Sequence, residues 1–460
     1  MATTAGQGDA SAQYALGSMY ANGREVPQDD SKAMQWYLIA ANQGFADAQN
    51  NLGIMHHNGK GGPQNSARAF EWYLKAANQG NVYAQNNLGI MYQAGEGVPR
   101  DDAKACEWLT KAASQGLVEA QVQVGNMYYS GITAPQDYAK GYDWYLKAAN
   151  QGSVIAQKLL ASMHEHGHGV PQNDVKAAEW YTKAASGGYG PAQNNLGQMY
   201  KLGKGVPQDH VRAAEWYLKS AQQGVDQAQY NIGDAYFSGK GISQDYAEAA
   251  KWFLKAAEQG YITAQIRLSE MYQDGKGVPQ DNAKGFQWCL RAANLGVTSS
   301  QYNIGVMYEF GMGIPKDDSK AAEWYTKAAN QGSADAQSNL GCMYLNGVGV
   351  PQDYSKAFEW LLMAAHQGID YAQYALGMLY KLGRGAPQDD SLTVEWLLKA
   401  AHQGCILAQY NLGLMYEGGR GVPQDQSKAI EWFLKAANQG HTDAQMKVAI
   451  HNGPVCCTIL

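Results

Sequence analysis

Residues 81–116 read NVYAQNNLGIMYQAGEGVPRDDAKACEWLTKAASQG, and this stretch decides the fold. Its first part has apolar or small residues at spacings of i, i+4, i+7 and i+8, which share one face of a helix: Ala84, Leu88, Met91 and Tyr92. The segment GEGVP then ends the helix, because glycine accepts positive φ and proline cannot continue a hydrogen-bonded turn. Asp101 or Asp102 can cap a second helix, which ends at Gly116. The stretch therefore predicts a helical hairpin.

The same pattern recurs every 36 residues without an insertion. All twelve tryptophans lie at multiples of 36, from Trp36 to Trp432, and a glutamine recurs thirteen times from Gln13 to Gln445. Self-similarity at a fixed period is the signature of a repeat architecture, in which each unit packs on its neighbours instead of around one central core. The chain is therefore predicted to be a solenoid of helical hairpins.

Glycine also recurs in the middle of the first helix, for example at Gly17, Gly53 and Gly89. Glycine inside a helix costs roughly 0.5–1 kcal/mol relative to alanine, so a compensating contact is required. Together with alanine pairs in the second helix, these glycines allow two helices to approach closely while tryptophan and tyrosine fill the remaining volume. We therefore expect the tryptophans to be core residues.

Composition and charge exclude several classes of protein. The formal net charge is only -6 and no basic cluster is present, which argues against nucleic-acid binding. The sequence contains no candidate membrane span, and the amino terminus lacks the apolar segment of a secretory signal, so a cytoplasmic location is expected. Four cysteines occupy different slots of the repeat and cannot form a regular disulfide ladder: Cys106, Cys289, Cys342 and Cys405.

The segment AQNNLGIMYQAGEGVPRDDAKACEWLTKAASQG and its copies resemble the Sel1-like repeat (SLR) family, a relative of the tetratricopeptide repeats. The resemblance implies an all-α, right-handed superhelical solenoid of about twelve 36-residue antiparallel helix pairs plus a terminal capping helix. It also implies a role in bringing other proteins together. Residues 1–8 would then be a short lead, 9–452 the solenoid with a partial thirteenth helix, and 453–460 a tail. The departures from the repeat are few: Glu25, Thr133, Ala161, Ser243 and Ser269.

Partner binding is predicted on the concave face of the solenoid, at first-helix positions that the repeat does not fix. Towards the carboxyl end these positions become aromatic, apolar or amide-bearing: Tyr302, Asn303, Val306, Tyr374, Met378, Tyr410, Asn411 and Leu414. Tyrosine and methionine provide large, adaptable contact areas, and asparagine can bond an extended peptide backbone. An alternative is that these residues only pack between successive repeats. The expected partner is a protein or peptide, with no nucleic acid and no cofactor.

The motif HEHGH at residues 164–168 matches the zinc-protease pattern, which requires both histidines on one unbroken helix. Gly167 is the loop glycine of the repeat, so the helix is predicted to end before His168. Some cysteine-rich members of the family are associated with β-lactam binding or hydrolysis, but their paired cysteines and the motifs S-x-x-K, S-D-N and K-T-G are missing from this sequence. We therefore predict a non-enzymatic protein without catalytic or metal-binding residues, and keep a hydrolase as an alternative.

The last residues, PVCCTIL, do not belong to the repeat. Residues 457–460 fit a C-a-a-X prenylation signal at Cys457, and the adjacent Cys456 is a candidate for palmitoylation. Stable anchoring generally needs two such signals. This combination resembles the fungal chitin-synthase activators, so a lipid-anchored regulator of a membrane enzyme, on the cytosolic face of a membrane, is a second alternative. The competing interpretation is that Val455, Ile459 and Leu460 cover the exposed end of the last repeat.

Overall fold

A computed structural model describes residues 8–132 and 135–451 of the chain. Within these ranges the protein forms 25 helices and no strand. The chain divides into two compact units. Of the described residues, the first unit comprises those up to Ala235 and Gly239–Ser243, and the second comprises Tyr236–Ser238 and those from Gln244 onward. These helices confirm the predicted all-α fold of twelve 36-residue helix pairs followed by one further helix.

Each repeat contains two helices of 13 residues, and the last helix, α25, has 10. The first helices of the repeats are α1 (Ala10–Asn22), α3 (Ala46–Asn58), α5 (Val82–Ala94), α7 (Val118–Ser130), α9 (Val154–His166), α11 (Gly190–Leu202), α13 (Asp226–Ser238), α15 (Ile262–Asp274), α17 (Thr298–Phe310), α19 (Ala334–Asn346), α21 (Asp370–Leu382), α23 (Ile406–Gly418) and α25 (Thr442–His451). The second helices are α2 (Asp30–Asn42), α4 (Ser66–Asn78), α6 (Asp102–Ser114), α8 (Tyr138–Asn150), α10 (Asp174–Ser186), α12 (His210–Gln222), α14 (Tyr246–Glu258), α16 (Asn282–Asn294), α18 (Asp318–Asn330), α20 (Tyr354–His366), α22 (Asp390–His402) and α24 (Gln426–Asn438).

The helix ends follow from their capping residues. Of the two candidate caps of α6, Asp101 is the one used, and its carboxylate accepts the backbone N–H of Lys104 at 2.9 Å. Helix α5 ends at Gly95, which has a left-handed φ of 73°. Gly116 directly follows the C-terminal cap residue of α6 and has a left-handed φ of 98°. Because left-handed backbone is accessible to glycine at little cost, both glycines terminate their helices as predicted.

The aspartates that cap the second helices are expected to make the protein less stable in acid. Hydrogen bonds from the backbone, above all from the lysine three residues on, lower the pKa of six cap carboxylates below its ordinary value: Asp29, Asp101, Asp137, Asp281, Asp317 and Asp425. A carboxylate whose pKa is lowered on folding contributes stability that is fully present above the unfolded pKa of about 3.9 and is lost as pH falls through the folded pKa. We expect the melting temperature to fall between pH 4 and pH 2.

A variant with all six of these aspartates changed to asparagine provides the control. Asn65 and Asn173 already cap α4 and α10 through the same side-chain oxygen, so the caps survive while their titration is removed. The acid-induced fall in melting temperature should therefore be smaller in this variant. An equal fall in both proteins would show that the caps do not carry the pH dependence.

The mid-helix glycines allow the close helix contact that the sequence predicts. A Cβ atom added at Gly305 would lie 2.6 Å from the ring of Tyr325 on α18, and one added at Gly89 would lie 2.6 Å from Leu109 on α6. Tyr325 and Leu109 are completely buried, and the same slot holds a buried tyrosine, phenylalanine, leucine or cysteine throughout the described repeats. The deepest layer of the core is therefore formed by this slot, packed on the glycine of the first helix.

Two repeats without the mid-helix glycine show how the packing adapts. Ser269 replaces it on α15, and the opposing slot on α16 then holds Cys289, a much smaller side chain than the usual tyrosine. Gly285, which stands where most repeats have alanine, lies opposite the carbonyl group of Ser269. Ala161 is fully buried and belongs to the same core cluster as Tyr181. The smaller side chains opposite Ser269 thus leave room for it in the eighth repeat, whereas the fifth accommodates one methyl group against a tyrosine.

The tryptophans are less buried than predicted. Trp324, Trp396 and Trp432 are buried, but the other nine are only half-buried. In ten repeats a lysine or arginine three residues later lies over the ring, as Lys75 Nζ does at 4.1 Å from the centroid of Trp72. Tryptophan therefore packs at the edge of the core, with one face against apolar residues and the other covered by a cation.

The recurring glutamine forms a ladder of two hydrogen bonds, one buried bond to the preceding repeat and one partly buried bond within its own repeat. Gln337 donates from Nε2 to the carbonyl oxygen of Ala329 in the preceding repeat at 3.1 Å, and its Oε1 accepts from Gln367 Nε2 at 2.8 Å. The same pair of bonds recurs in both units. Gln265 lacks the second bond because Leu295 occupies the donor slot, and its Oε1 is buried without a partner. The ladder explains why this glutamine recurs.

Loop glycines mark the contact between neighbouring hairpins. A Cβ atom at Gly97 would collide with the backbone carbonyl of Ser66, at the start of the preceding second helix. Glu25 occupies the equivalent slot of the first repeat with a φ of 63°. No earlier hairpin precedes that repeat within the described residues, so its side chain has no such neighbour. Thr133, the other residue at this slot that is not glycine, lies outside the described residues.

Candidate functional site

We use the name variable face for the fifth, sixth and ninth residues of each first helix, which the repeat does not fix. In the second unit six of its predicted binding residues are half-buried: Tyr302, Val306, Tyr374, Met378, Tyr410 and Leu414. Each therefore presents part of its apolar surface to solvent. Partly exposed apolar side chains are available to a binding partner, and where they are contiguous they commonly mark an interaction site.

The tyrosines of the variable face also pack on the adjacent second helix. The ring centroid of Tyr302 lies 5.7 Å from that of Tyr325, and Tyr410 lies 5.7 Å from Phe433 and 4.4 Å from His441. Burial raises the pKa of Tyr302 and of Tyr374 above its ordinary value, so both phenols are neutral at physiological pH. Packing between repeats and exposure to a partner thus coexist in the same side chains. Because one side of each ring is fixed by the fold, little conformational entropy remains to be lost on binding.

Tyr374 and Met378 line a cleft of about 310 Å³ in the second unit. Its walls are completed by residues of α19 and α21, among them Leu345, Tyr371 and Leu382, with Arg384 at one side. Tyr371 and Leu382 are about half exposed, and the rings of Tyr371 and Tyr374 lie 6.1 Å apart. A cleft of this size with mainly apolar walls and one cation suits side chains of a peptide.

The two predicted asparagines differ in their surroundings. Asn303 is exposed. The amide of Asn411 is buried, donates to the carbonyl oxygen of Leu407 at 2.9 Å and accepts from Lys381 Nζ at 3.2 Å. Elsewhere on the variable face Asn231 Nδ2 donates to Asn194 Oδ1 of the preceding repeat at 2.8 Å. Asn303 has the geometry for contact with a partner, whereas Asn411 already takes part in bonds of the fold.

The histidines of the HEHGH motif do not converge. Helix α9 ends at His166, before His168, as the sequence predicts. His164 is buried and lies 3.3 Å from the hydroxyl of Tyr142, whereas Nδ1 of His168 lies 2.7 Å from the hydroxyl of Tyr129. No group of three or more potential metal ligands occurs among residues 8–132 and 135–451. The motif therefore lacks the shared geometry of a zinc-protease site.

The lipidation candidates Cys456 and Cys457 lie outside the described residues. Cys106, Cys289, Cys342 and Cys405 are free thiols, and burial raises the pKa of Cys289 and of Cys342 to about 11. Such thiols are poor nucleophiles at neutral pH. In the part of the chain that the structure describes, no helix combines the length and apolar character needed to cross a bilayer.

Sequence reasoning missed Tyr371, Leu382 and Arg384 as parts of the cleft. They lie in the second and thirteenth positions of the first helix and in the following loop, where most repeats carry small or polar residues or a lysine. A comparison of each slot across the twelve repeats would have marked Tyr371 and Leu382, because both are large and apolar at slots that usually are not.

Comparison with known proteins identifies the repeats. The family model Sel1 repeat matches twelve consecutive segments of 36 residues, from 10–45 to 406–441. A search of curated proteins finds no match. Among solved structures, a protective antigen present in uropathogenic Escherichia coli strains, which displays an SLR fold, is 34% identical over 100% of this chain and 97% of that chain, with a TM-score of 0.70.

A second solved structure, a Sel1 repeat protein from Oxalobacter formigenes, is 31% identical over 75% of this chain and 90% of that chain, with a TM-score of 0.39. The twelve consecutive matches to the family model extend over nearly all the described residues. The chain belongs to the Sel1 repeat family.

Proposed function

We propose that the protein is a non-enzymatic scaffold that binds a protein or peptide partner along the variable face of its second unit. Sel1 repeat proteins are generally protein-interaction scaffolds. The observation that supports a site on this chain is the cleft around Tyr374 and Met378, where half-exposed apolar side chains meet in one concave space.

The chemistry of the cleft favours an apolar side chain flanked by peptide groups. Tyr371, Tyr374 and Met378 supply aromatic and thioether surface, which adapts to ligands of different shape. Arg384 adds one positive charge, so an acidic residue beside the inserted side chain would be favoured. Because Tyr374 packs against the core cluster that contains Leu397, its ring needs little rearrangement on binding.

The lipid-anchored alternative depends on the two tail cysteines alone and therefore stays a prediction from the sequence. The hydrolase alternative would need a nucleophile and a base in one place. The free thiols with resolved shifts have a raised pKa, and the HEHGH histidines bond to different tyrosines, so neither supports it.

Site-directed crosslinking tests the proposal. A photoreactive residue placed at Met378 should capture a partner from cell extract, and Tyr374→Ala in the same protein should reduce that capture about tenfold, because it removes the aromatic wall of the cleft. The partner, once identified by mass spectrometry and purified, is then titrated against the intact protein and the variant.

Met363 provides the matched control, since it is a half-exposed methionine of the same unit on the second helix α20. A photoreactive residue at Met363 should not capture the same partner. The melting curve of Tyr374→Ala must match that of the intact protein, because this side chain also packs on the core. Equal capture from both positions, or an affinity unchanged by Tyr374→Ala, would contradict a binding site on the variable face.

A further inference from the structure

A second cavity lies in the first two repeats, between α2 and the hairpin of α3 and α4. It has a volume of about 580 Å³, within the range of pockets that bind small ligands. Its apolar walls are Met34, Leu38, Leu52 and Trp72, and His56 stands among them. We call this space the His56 cavity. It uses residues of the first unit and is separate from the cleft proposed above.

His56 is unusual both in sequence and in surroundings. Ten of the twelve repeats carry tyrosine at its slot, and only the second and fifth carry histidine. Its side chain is only 7% exposed, and within the described residues its imidazole makes no hydrogen bond. Burial, aided by the charge of Arg68, lowers the pKa of His56, so the ring is neutral at pH 7. Its ring nitrogens are not among the enclosed polar atoms of the described residues, so they are accessible from the cavity and can pair with a group that enters it.

The fifth repeat shows which group fits beside such a histidine. His164 lies 108 residues after His56 and is 4% exposed. The ring of Tyr142 meets it edge to face at 5.6 Å between centroids, with the phenol oxygen 3.3 Å from His164 Nε2. Tyr142 occupies the slot that Met34 occupies in the first repeat. The chain thus fills one histidine site with its own phenol and leaves the other without one.

The two sites are otherwise closely similar. Six lining residues of the His56 cavity have an identical residue 108 positions later: Leu38, Leu52, His56, Gly61, Glu71 and Trp72. Arg68 corresponds to Lys176, which keeps the charge. The presence of Met34 in place of a tyrosine is therefore the main difference between an open site and a filled one.

We propose that the His56 cavity binds a tyrosine side chain of a partner polypeptide. The phenol ring occupies the space that Tyr142 fills in the equivalent site, and its hydroxyl donates a hydrogen bond to the neutral imidazole. Met34, Leu38 and Trp72 cover the ring.

The polar residues of the cavity favour a polypeptide over a free phenol. Arg68 and Glu71 line the cavity together with the apolar residues. A guanidinium can donate to a peptide carbonyl, and a carboxylate can accept from a peptide N–H. A tyrosine residue within a polypeptide has peptide carbonyl and peptide N–H groups on both sides of its side chain. A free phenol has neither.

A titration followed by nuclear magnetic resonance tests this proposal. The protein is labelled with ¹³C at histidine Cε1, and the probes are the peptides Ac-Gly-Tyr-Gly-NH2 and Ac-Gly-Phe-Gly-NH2 and the small phenol p-cresol. The tyrosine peptide should shift the His56 signal saturably. The phenylalanine peptide should bind at least fivefold more weakly, because it leaves the imidazole unpaired. The His56 signal is assigned by its loss in His56→Tyr.

Three variants decide the outcome. His56→Tyr restores the usual residue of the repeat, and Met34→Tyr copies the filled site of Tyr142, so binding of the tyrosine peptide, measured by calorimetry, should be lost in both. His164→Tyr changes the other histidine site and should leave the affinity within twofold. Equal affinities of the two peptides, or binding of the tyrosine peptide that survives Met34→Tyr, would overturn the proposal. It would also be overturned if the tyrosine peptide gave no saturable shift at millimolar concentration, or if p-cresol bound and the tyrosine peptide did not.

Discussion

Replacing Gly305 with valine is expected to lower the free energy of unfolding of the second unit by roughly 3 kcal/mol, the upper part of the range for overpacking a core. The first added carbon alone would lie 2.6 Å from the ring of Tyr325. That ring cannot easily move, because it is completely buried and its hydroxyl donates a hydrogen bond to the carboxylate of Glu309. No repeat carries a residue larger than serine at this slot. Urea unfolding, fitted with a nearest-neighbour model for repeats, measures the change.

Alanine substitutions at two sites provide graded controls. Gly305→Ala should cost less than valine, since Ala161 shows that one methyl group can be accommodated against a tyrosine. Gly377→Ala should be close to neutral. Its added Cβ would lie 3.3 Å from Leu397, and the gain in helix propensity of about 1 kcal/mol offsets the remaining contact. If Gly305→Val unfolds at the same urea concentration as the intact protein, the close helix contact does not limit the size of this residue.

The helices could be predicted because the residues that begin and end each helix lie close to its ends in the sequence. Asp101, Pro99 and the two loop glycines each act within a few residues of their own position, and the structure uses them as expected. The burial of tryptophan could not be predicted in this way. Its period places it beside the core, but the extent of its exposure depends on the neighbouring repeat and on the cation three residues later, as for Trp72 and Lys75.

The candidate sites also combine features that depend on one helix, which could be predicted, with features that depend on a neighbouring repeat, which could not. The sequence predicts Tyr374 and Met378 because they occupy two positions of one helix that vary between repeats. The cleft that they line also depends on Leu345 of the preceding repeat. The His56 cavity depends on the combination of His56 with Met34, which belong to different repeats. Each residue alone is an ordinary substitution. Only packing shows that histidine without a neighbouring tyrosine leaves an open space.

Gln337→Leu is expected to cost about 2 kcal/mol in the free energy of unfolding, from two hydrogen bonds each worth about 1 kcal/mol net. Leucine has a similar volume, so the loss of the bonds to Ala329 and from Gln367 is the main change. Gln337 is 4% exposed, so water does not readily replace these bonds. The bond to Ala329 links one repeat to the next, whereas the bond from Gln367 lies within one repeat. The loss should therefore be divided between the interface term and the intrinsic stability of the repeat in the same nearest-neighbour fit.

Gln265 is the natural control for this prediction, because Leu295 has already removed one of its two bonds. Gln265→Leu should cost about 1 kcal/mol less than Gln337→Leu, since it also removes an unpaired buried oxygen. Leu295→Gln should stabilise the protein by about 1 kcal/mol by supplying the missing donor, and in that background Gln265→Leu should cost as much as Gln337→Leu. This coupling separates the hydrogen bond from the shape of the side chain, because the substitution at 265 is the same in both backgrounds. If Gln265→Leu costs the same in the Leu295 protein and in the Leu295→Gln variant, the ladder stabilises the repeats by packing alone.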